Sequence, residues 1–477
     1  MPVADRPNIL LLLTDEERER MWFPDHIRFP HREALAARGM QFTNHHVHTF
    51  PCTPSRATIL TGRHAAATGM FDNTNFDWQQ PLSPTVPTLG HLLSAQGYRC
   101  GYLGKWHLGG ESKRNGLEAY GFQDWLGPDA HGAPYRGHFV DGPTADHAAR
   151  WITEHANDTA PWLLVCSFVN PHDIMFYPRF RMPRVPDHGA QLPPNFGDDL
   201  STKPITQRHW RTTCDITGGR VRDEKTWRTL INAYIDLQVE VDRHVGTVLG
   251  ALESSGAASN TLVVATSDHG DLAGAHGLRQ KGANLYRENA QVPLTMTWPG
   301  TIPAGQVTRR LSGAMDLLPT LLSAAKAPAD AGSLPGHDLT PLWSDPKRPV
   351  RDSLLITSDA FSSLGFAGPH RGFLRGVITE RHKYGRYFMP GEQGAGRAAA
   401  DLELYDRAED PAEMRNLAHP DVGGEHSGAL IDELDRTLDE MIATEIGNDD
   451  VALPQPRLNF RMTMLSRLWR RRASVIG

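Results

Sequence analysis

The chain has 477 residues, enough for one large domain with a smaller companion, and a formal net charge of −6 from 49 basic and 55 acidic side chains. With 39% hydrophobic and 22% charged residues it has the make-up of a globular protein, and its slight acidity gives nucleic acid no electrostatic reason to bind. No window approaches the roughly 18 apolar residues that a membrane span needs, and Cys52, Cys100, Cys166 and Cys214 form no CxxC pair, which excludes a cysteine-rich zinc site and argues against a disulfide framework.

In chain order, the apolar run Ile9 to Leu13 is ended at once by acids. It is too short for a secretory core and lacks a small-residue cleavage site, so the chain reads as cytoplasmic. "NILLLLT" is predicted to be a strand buried on both faces, followed by a helix in "HREALAARG" with Gly39 as its C-terminal cap. "TVPTLGHLLSAQG" is a second helix, stopped at Gly97, and "YRCGYLG" the strand after it. "TADHAARWITEHA" then precedes the strand "PWLLVCSFV", and a long amphipathic pattern from about Lys225 to Glu253 precedes "TLVVATS". "VPLTMTWPG" and the helix "DLLPTLLSAAK" complete a rhythm that predicts a mostly parallel sheet covered on both faces.

Two regions break the rhythm. From about Pro171 to Asp223 the chain is rich in Pro, Arg and Asp without a clear period, which reads as a lid or pocket wall. After about Arg351 come β-rich segments ("SLLITSD", "RGVITERHKYGRYF", "LELYDR") and one amphipathic helix, predicting a smaller α+β domain with an antiparallel sheet. The expected division is 1–350, 351–447 and a tail, 448–477, with six arginines and Phe460, Met464, Leu465 and Leu468 at helical spacing. That tail reads either as an oligomerisation arm or as a frayed surface helix.

Open parallel sheets bind ligands at the carboxyl ends of their strands, and four predicted strands end in reactive side chains. These are Asp15 and Glu16; Lys105 and His107; His172 and Asp173; and Asp268, His269 and Asp271. One such ending is common as a helix cap, but four converging on one edge call for a chemical reason. Carboxylates with an imidazole make a hard, oxygen-rich site suited to Ca²⁺, Mg²⁺ or Mn²⁺. With Lys105, Lys281 and Arg56 as fixed cations, such a metal suits a tetrahedral oxyanion ester, sulfate or phosphate. In "FPCTPSRATILTGR", Thr53 or Cys52 is expected to cap a short helix, with Pro54 at its first position and Gly62 closing it. Cys52 would then face a helix N-terminus, which activates a thiolate or steadies an attacking oxyanion.

At these residues the sequence resembles the type I, formylglycine-dependent sulfatases of the alkaline-phosphatase-like superfamily. "CTPSRATILTGR" matches the C-x-P-S-R signature, "GYLGKWHLG" the second signature, and "NPH", "SDHGDLAGAHG", "QKG", "ENAQVPL" and "ELYDRAEDPAEMRNLA" follow in the family's order, so that the likeness runs to about residue 420. The resemblance implies a three-layer α/β/α sandwich and a sulfatase acting on small organic sulfate monoesters, aryl or alkyl. It implies that Cys52 is oxidised to formylglycine by a formylglycine-generating enzyme, and that Asp15, Glu16, Asp268 and His269 hold one metal with the modified Cys52. Calcium is the default ion and magnesium or manganese the alternatives. It further implies that Arg56 and Lys105 hold the diol, that His107 takes the proton of its second hydroxyl, that His172 protonates the leaving alcohol and that Lys281 binds the sulfate oxygens. Two positions depart from the usual pattern: Glu16 stands where an aspartate or shorter amide is common, and His269 where many members have asparagine.

Other features carry weaker signals. "NHHVH" (His45, His46, His48) has the look of a metal cluster, but the resemblance places no ligand there. Asn73 and Asn75 read as turn residues or pocket lining, Trp22, Trp78, Phe176 and Tyr177 as core or as an apolar subsite, and Asp316 as a helix cap. The rival activities are phosphonate monoester or phosphodiester hydrolysis by the same chemistry and, from another class, a catalytically silent binding protein on the same scaffold.

Overall fold

The computed structural model describes residues 6–111, 116–127, 129, 135–180, 182, 184–328, 334–364, 371–424, 427–449 and 453. The arginine-rich tail, 448–477, lies outside these residues apart from Asn448, Asp449 and Leu453.

In chain order the strands of the larger unit are β1 (Asn8–Asp15), β2 (Met40–Phe42), β3 (His45–His46), β4 (Arg99–Gly104), β5 (Asp124–Leu126), β6 (Trp162–Pro171), β7 (Thr261–Ser267), β8 (Leu294–Thr297), β9 (Gln306–Thr308) and β10 (Ser312–Gly313). Eight of them form one sheet in the order β5-β4-β6-β1-β7-β8-β2-β9, and β10 pairs with β3 apart from it. β5, β4, β6, β1 and β7 run parallel, and β8 is antiparallel to both β7 and β2.

The strand β1 shows why the sheet must be covered twice. Its residues Ile9 to Leu13 are at most 1% exposed. Ile9, Leu11 and Leu13 pack on one side with Ala57, Ile59 and Leu60 of the Cys52–Thr61 helix and with the Leu317–Ala324 helix. Leu10 and Leu12 face the other way, onto the Arg136–His155 and Glu224–Ser254 helices. A period-two strand that is apolar at every position has two faces to bury, and the helices on each side bury them. The three-layer α/β/α sandwich with a mostly parallel sheet is therefore as expected.

Beyond it, β11 (Ser353–Ser358), β12 (Phe373–Thr379), β13 (His382–Phe388) and β14 (Asp401–Asp406) form an antiparallel sheet in that order. One face packs on Leu434 and Leu438 of the Ser427–Met441 helix. The other carries Leu354, Ile356, Leu374 and Ile378 onto Val47, Phe50, Leu285 and Val292 of the larger unit. Among the described residues no helix is long and apolar enough to cross a membrane.

Three local expectations change. The first helix, Pro30–Ala37, is capped by Arg38, and Gly39 is not in the left-handed region. A Cβ on Gly39 would lie 2.2 Å from the Met296 carbonyl oxygen, so the missing side chain serves close approach to β8. The stretch 171–223 is only partly irregular, because it holds a 13-residue helix, Ile205–Thr217, whose inward face is Thr206, Gln207, Trp210, Thr213 and Cys214. Asp316 stands at the start of the Leu317–Ala324 helix but its side chain caps nothing there. It accepts the Gly313 and His337 N–H groups, each at 2.7 Å, and pairs with Arg351.

Candidate active site

Four parallel strands deliver the cluster. β1 ends in Asp15 with Glu16 just beyond, β4 is followed by Lys105 and His107, β6 by His172, and β7 by Asp268 and His269. Because these strands are parallel and adjacent, their carboxyl ends share one edge, and the Cys52–Thr61 helix brings Cys52 and Arg56 to it. All of these side chains are at most 3% exposed, and Lys281, arriving from the loop after β7, is 5% exposed.

Arg56 organises the centre. Its Nε donates to Asp268 Oδ2 at 2.8 Å and its Nη2 to Asp15 Oδ2 at 2.9 Å, while Nη1 donates to the Lys105 carbonyl oxygen (2.8 Å) and to Ser167 Oγ (2.9 Å). Lys105 Nζ adds a second cation 2.5 Å from Asp15 Oδ2. Burial alone would raise the Asp15 carboxyl, but the cations, Lys105 foremost and Arg56 with it, hold it well below the usual carboxylate range. Burial, followed by the charge of Asp15, raises Asp268.

These contacts consume one oxygen of each carboxylate and leave the other facing a common point. Asp15 Oδ1 is 3.7 Å from Cys52 Sγ. Asp268 Oδ1 accepts the Glu16 N–H at 3.1 Å and lies 3.7 Å from His269 Nε2. His269 is bonded through Nδ1 to the Gly270 carbonyl oxygen at 3.0 Å, so Nδ1 carries the proton and Nε2 keeps its lone pair, 3.1 Å from Cys52 Sγ. One ligand atom each from Asp15, Cys52, Asp268 and His269 therefore falls within 4.8 Å of the others. Two carboxylates and an imidazole lone pair, each steadied from behind by a hydrogen bond or ion pair, together with the side chain at position 52, fit a divalent cation.

Glu16 is set differently. Its Oε2 is 2.6 Å from Lys281 Nζ and 3.9 Å from His172 Nε2, and it belongs with Asp15 and His172 in a second grouping, outside the four donors. Burial outweighs Lys281 and pushes its carboxyl well above the ordinary range. Glu16 is expected among the metal ligands; its carboxyl instead lies against Lys281 and outside the four-donor grouping. His172 is held well below its ordinary range by burial, then by Lys281 and Lys105, so the imidazole is neutral.

Position 52 corrects two expectations. Pro51 is the cap residue and Cys52 the first helical residue, so Pro54 comes two places later than expected. Gly62, with φ 64°, does close the helix. The thiol is not activated: burial, then Asp15, pushes it up to about 11. Burial first, and the Asp15 carboxylate second, outweigh what a helix N-terminus offers a thiolate.

Several supporting residues escaped the sequence reading because they act on the backbone. Asn73 Oδ1 accepts the Thr53 N–H at 3.0 Å, supplying from a separate loop the cap that the helix lacks. The two Asp129 carboxylate oxygens accept the Trp106 and His107 N–H groups, each at 2.9 Å. Thr53 Oγ1 donates to the His107 carbonyl oxygen at 2.6 Å. His107 needs these holds, since its backbone is left-handed at φ 59°. Asn75 is exposed, Asp173 accepts the His138 N–H at 3.1 Å, and Asp271 accepts the Ala273 N–H at 2.6 Å while its carboxyl also reaches Glu16. Trp78 is buried, with Nε1 on Asp72 at 3.0 Å, and Trp22 donates to Glu288 at 2.8 Å, so both are support rather than pocket.

Comparison with known proteins places the chain in a family. The family model "Sulfatase" matches residues 7–327, and "N-sulphoglucosamine sulphohydrolase, C-terminal" matches residues 274–443. An ulvan-active sulfatase of Formosa agariphila is 26% identical over 93% of this chain and 82% of its own length. Human arylsulfatase A is 29% identical over 87% of this chain and 84% of its own. Among solved structures, a 2-O GAG sulfatase superposes with a TM-score of 0.74 at 24% identity, covering 92% of this chain and 93% of its own. A phosphonate monoester hydrolase from Silicibacter pomeroyi superposes with a TM-score of 0.70 at 22% identity, covering 96% and 98%; both show the same fold. A family model that spans residues 7–327 and sulfatase relatives matched over more than four-fifths of their length, with the shared fold, establish that this chain belongs to the sulfatase family and is a sulfuric ester hydrolase.

Proposed function

We propose that the chain hydrolyses small organic sulfate monoesters, aryl or alkyl, using formylglycine made from Cys52 by a formylglycine-generating enzyme, and one divalent metal. The observation that carries this reading is the convergence of Asp15, Cys52, Asp268 and His269 within 4.8 Å of one another, beside the Arg56 and Lys105 cations. Those four side chains would hold the metal, with calcium first and magnesium or manganese as alternatives; the metal supplies positive charge against the oxyanion. The Cys52 sulfur stands in for the oxygens of hydrated formylglycine, which supplies two hydroxyls on one carbon: a nucleophile for sulfur and a route to release sulfate.

The remaining steps belong to the chain's own side chains. Arg56 and Lys105 orient the group at position 52 and carry its developing charge. Lys281, held against burial by neighbouring carboxylates including Asp15, keeps its proton and binds a sulfate oxygen. His107 takes the proton from the second hydroxyl, and His172 gives one to the leaving alcohol. His172 is neutral first because it is buried and then because Lys281 and Lys105 bear on it; a sulfate seated between those lysines offsets their charge and favours the protonated imidazole that donates to the alcohol.

A second reading, phosphonate monoester or phosphodiester hydrolysis, draws on the fold shared with phosphonate monoester hydrolase and on cations that serve either oxyanion. One set of kinetics separates them: kcat/KM is expected to be largest for an aryl or alkyl sulfate in a panel that includes a phosphonate ester and a phosphodiester. A larger value for a phosphorus ester overturns the sulfate assignment. Peptide mass spectrometry of protein from its native host should find formylglycine or its hydrate at position 52, and unmodified cysteine in active protein overturns the mechanism.

A further inference from the structure

The reading above leaves the alcohol side of the site unassigned, and a row of aromatic rings begins there. The His172 ring lies 6.0 Å from Phe176, Phe176 lies 6.2 Å from Phe180 in an edge-to-face contact, and Phe180 lies 6.3 Å from Tyr135 in another. The row follows the carboxyl edge of the sheet. His172 and Phe176 bound the 3-10 turn that leaves β6, and Tyr135 sits just before the Arg136–His155 helix, on the way back from β5. His172 Nε2, 3.9 Å from Glu16, marks its inner end.

Exposure rises from His172 at 3% through the half-buried Phe176 to Phe180 at 41%, and Tyr135 beyond it is half-buried again. Of the six large hydrophobic side chains that are exposed among the described residues, three lie at this edge: Phe180, Phe139 near the start of the same helix, and Leu126 at the end of β5. Single exposed apolar residues need no explanation, but a concentration of them at the sheet edge that carries the charged cluster does. Aromatic walls beside a few fixed polar groups are how small-molecule sites hold an apolar or flat ligand.

We propose that Phe176, Phe180 and Tyr135 form the wall on which the leaving alcohol of the ester lies, and that this alcohol carries a ring, aryl or pyranose, with one flat face on the wall. The inference rests on the sulfate-ester reading for what is attached to the alcohol, while the wall itself is tested without turnover. The face of an aryl ring and the C–H face of a pyranose offer the same flat apolar surface, so both sources share this chemistry. An acyclic alcohol such as methanol reaches none of the rings beyond His172.

The experiment measures binding and turnover in wild type, Phe180→Ala and the control Val307→Ala, which removes an equally exposed side chain on β9, at the far edge of the sheet. Binding is read by calorimetry with 2-naphthol and with methyl glucopyranoside. Turnover is read as the ratio of kcat/KM for 4-nitrophenyl sulfate, or for a hexose sulfate, to that for methyl sulfate. Phe180→Ala is expected to weaken binding of the ring alcohol about tenfold and to lower the turnover ratio by a similar factor, with Val307→Ala changing neither. The arm that responds identifies the ring as aryl or sugar. Equal losses on ring and methyl sulfates overturn the wall, as does wild type that binds neither ring alcohol. A dimer that dissociates on Phe180→Ala with ring binding unchanged overturns it too, since the exposed rings then serve subunit contact. If wild type hydrolyses no sulfate ester but binds a ring alcohol through Phe180, the reaction assignment falls and the wall stands.

Discussion

His269 and His45 are both completely buried, yet their surroundings give them opposite characters. His269 spends Nδ1 on a carbonyl and turns Nε2 toward Cys52, with Asp15 and Asp268 on the same point and Arg56 and Lys105 behind them. His45 bonds Ser312 Oγ at 3.0 Å, His46 bonds Asn44 Oδ1 at 2.9 Å, and His48 bonds the Leu355 carbonyl oxygen at 2.8 Å. No carboxylate joins these three in a ligand group among the described residues. Burial holds all three neutral, helped by Arg351 at His45 and His48 and by Arg407 at His46. His48 lies against the bare backbone of Gly313, where a Cβ would come within 2.3 Å of its Nε2. The "NHHVH" cluster is thus packing at the joint between the two sheets. A histidine becomes a ligand when its second nitrogen is aimed at other free lone pairs, and residue type with spacing does not decide that.

The largest expected effect tests the active member of the pair. Cys52→Ala should lower kcat/KM by about 10³-fold or more, because it removes the group that formylglycine is made from. Its unfolding midpoint should stay near wild type, since the thiol makes only contacts of 3.1 and 3.7 Å to His269 and Asp15. Retained activity in this variant would remove position 52 from the chemistry.

Arg56→Met comes next. Arg56, Asp15 and Asp268 are each completely buried, so truncating the cation leaves two carboxylates without their shared partner. Breaking such a pair costs about 3–5 kcal/mol, read as a lowered midpoint in urea with an unchanged slope. A loss below about 1 kcal/mol would mean that Lys105 alone neutralises the cluster.

The quiet cluster is broken by acid instead. His45 is lowered to about 3 in the fold, mainly by burial and then by Arg351, whereas the unfolded chain takes the proton near 6.5. The neutral ring therefore contributes stability above pH 6.5, and that contribution is lost as pH falls from 6.5 toward 3 at up to about 1.4 kcal/mol per pH unit. Replacing His45 with Gln should flatten the fall in stability between pH 6 and 4 by about that slope. An unchanged slope would show that the ring is protonated in the fold, and with it that the cluster is less dry than its packing.

The same contrast explains which features were legible in the sequence. Asp15, Lys105, His172 and Asp268 were readable because each follows an apolar run, and parallel strands must bring such endings to one edge. The C-terminal sheet was readable from its β-branched and aromatic segments. The Ile205–Thr217 helix was hidden because Thr, Gln, Trp and Cys occupy its inward face, and a hydrophobic period does not register them. Asn73, Thr53 and Asp129 were hidden for a different reason: each serves a backbone group of a distant residue, a relation that no local spacing carries. "NHHVH" misled in the opposite direction, since its spacing is visible and its hydrogen bonds are not.

The smallest effect concerns how His107 is held. Its ring is placed by a backbone in the left-handed region, a conformation that costs of order 1–3 kcal/mol and persists only where the surroundings impose it. Asp129 imposes it from one side through two N–H groups, and Thr53 from the other through the carbonyl oxygen. Asp129→Asn keeps the shape but turns one acceptor into a donor facing an N–H, which should lower kcat about tenfold with little change in KM. Thr53→Val removes the shorter of the two hydroxyl bonds to that carbonyl, leaving Thr74 Oγ1 at 3.3 Å, and should have a smaller effect of the same kind. If both act through the one turn, the double variant should lose less than the product of the single losses, because a turn already released has little more to lose. Losses that multiply would mean that Thr53 acts at the Cys52 end of its helix, and that His107 depends on Asp129 alone.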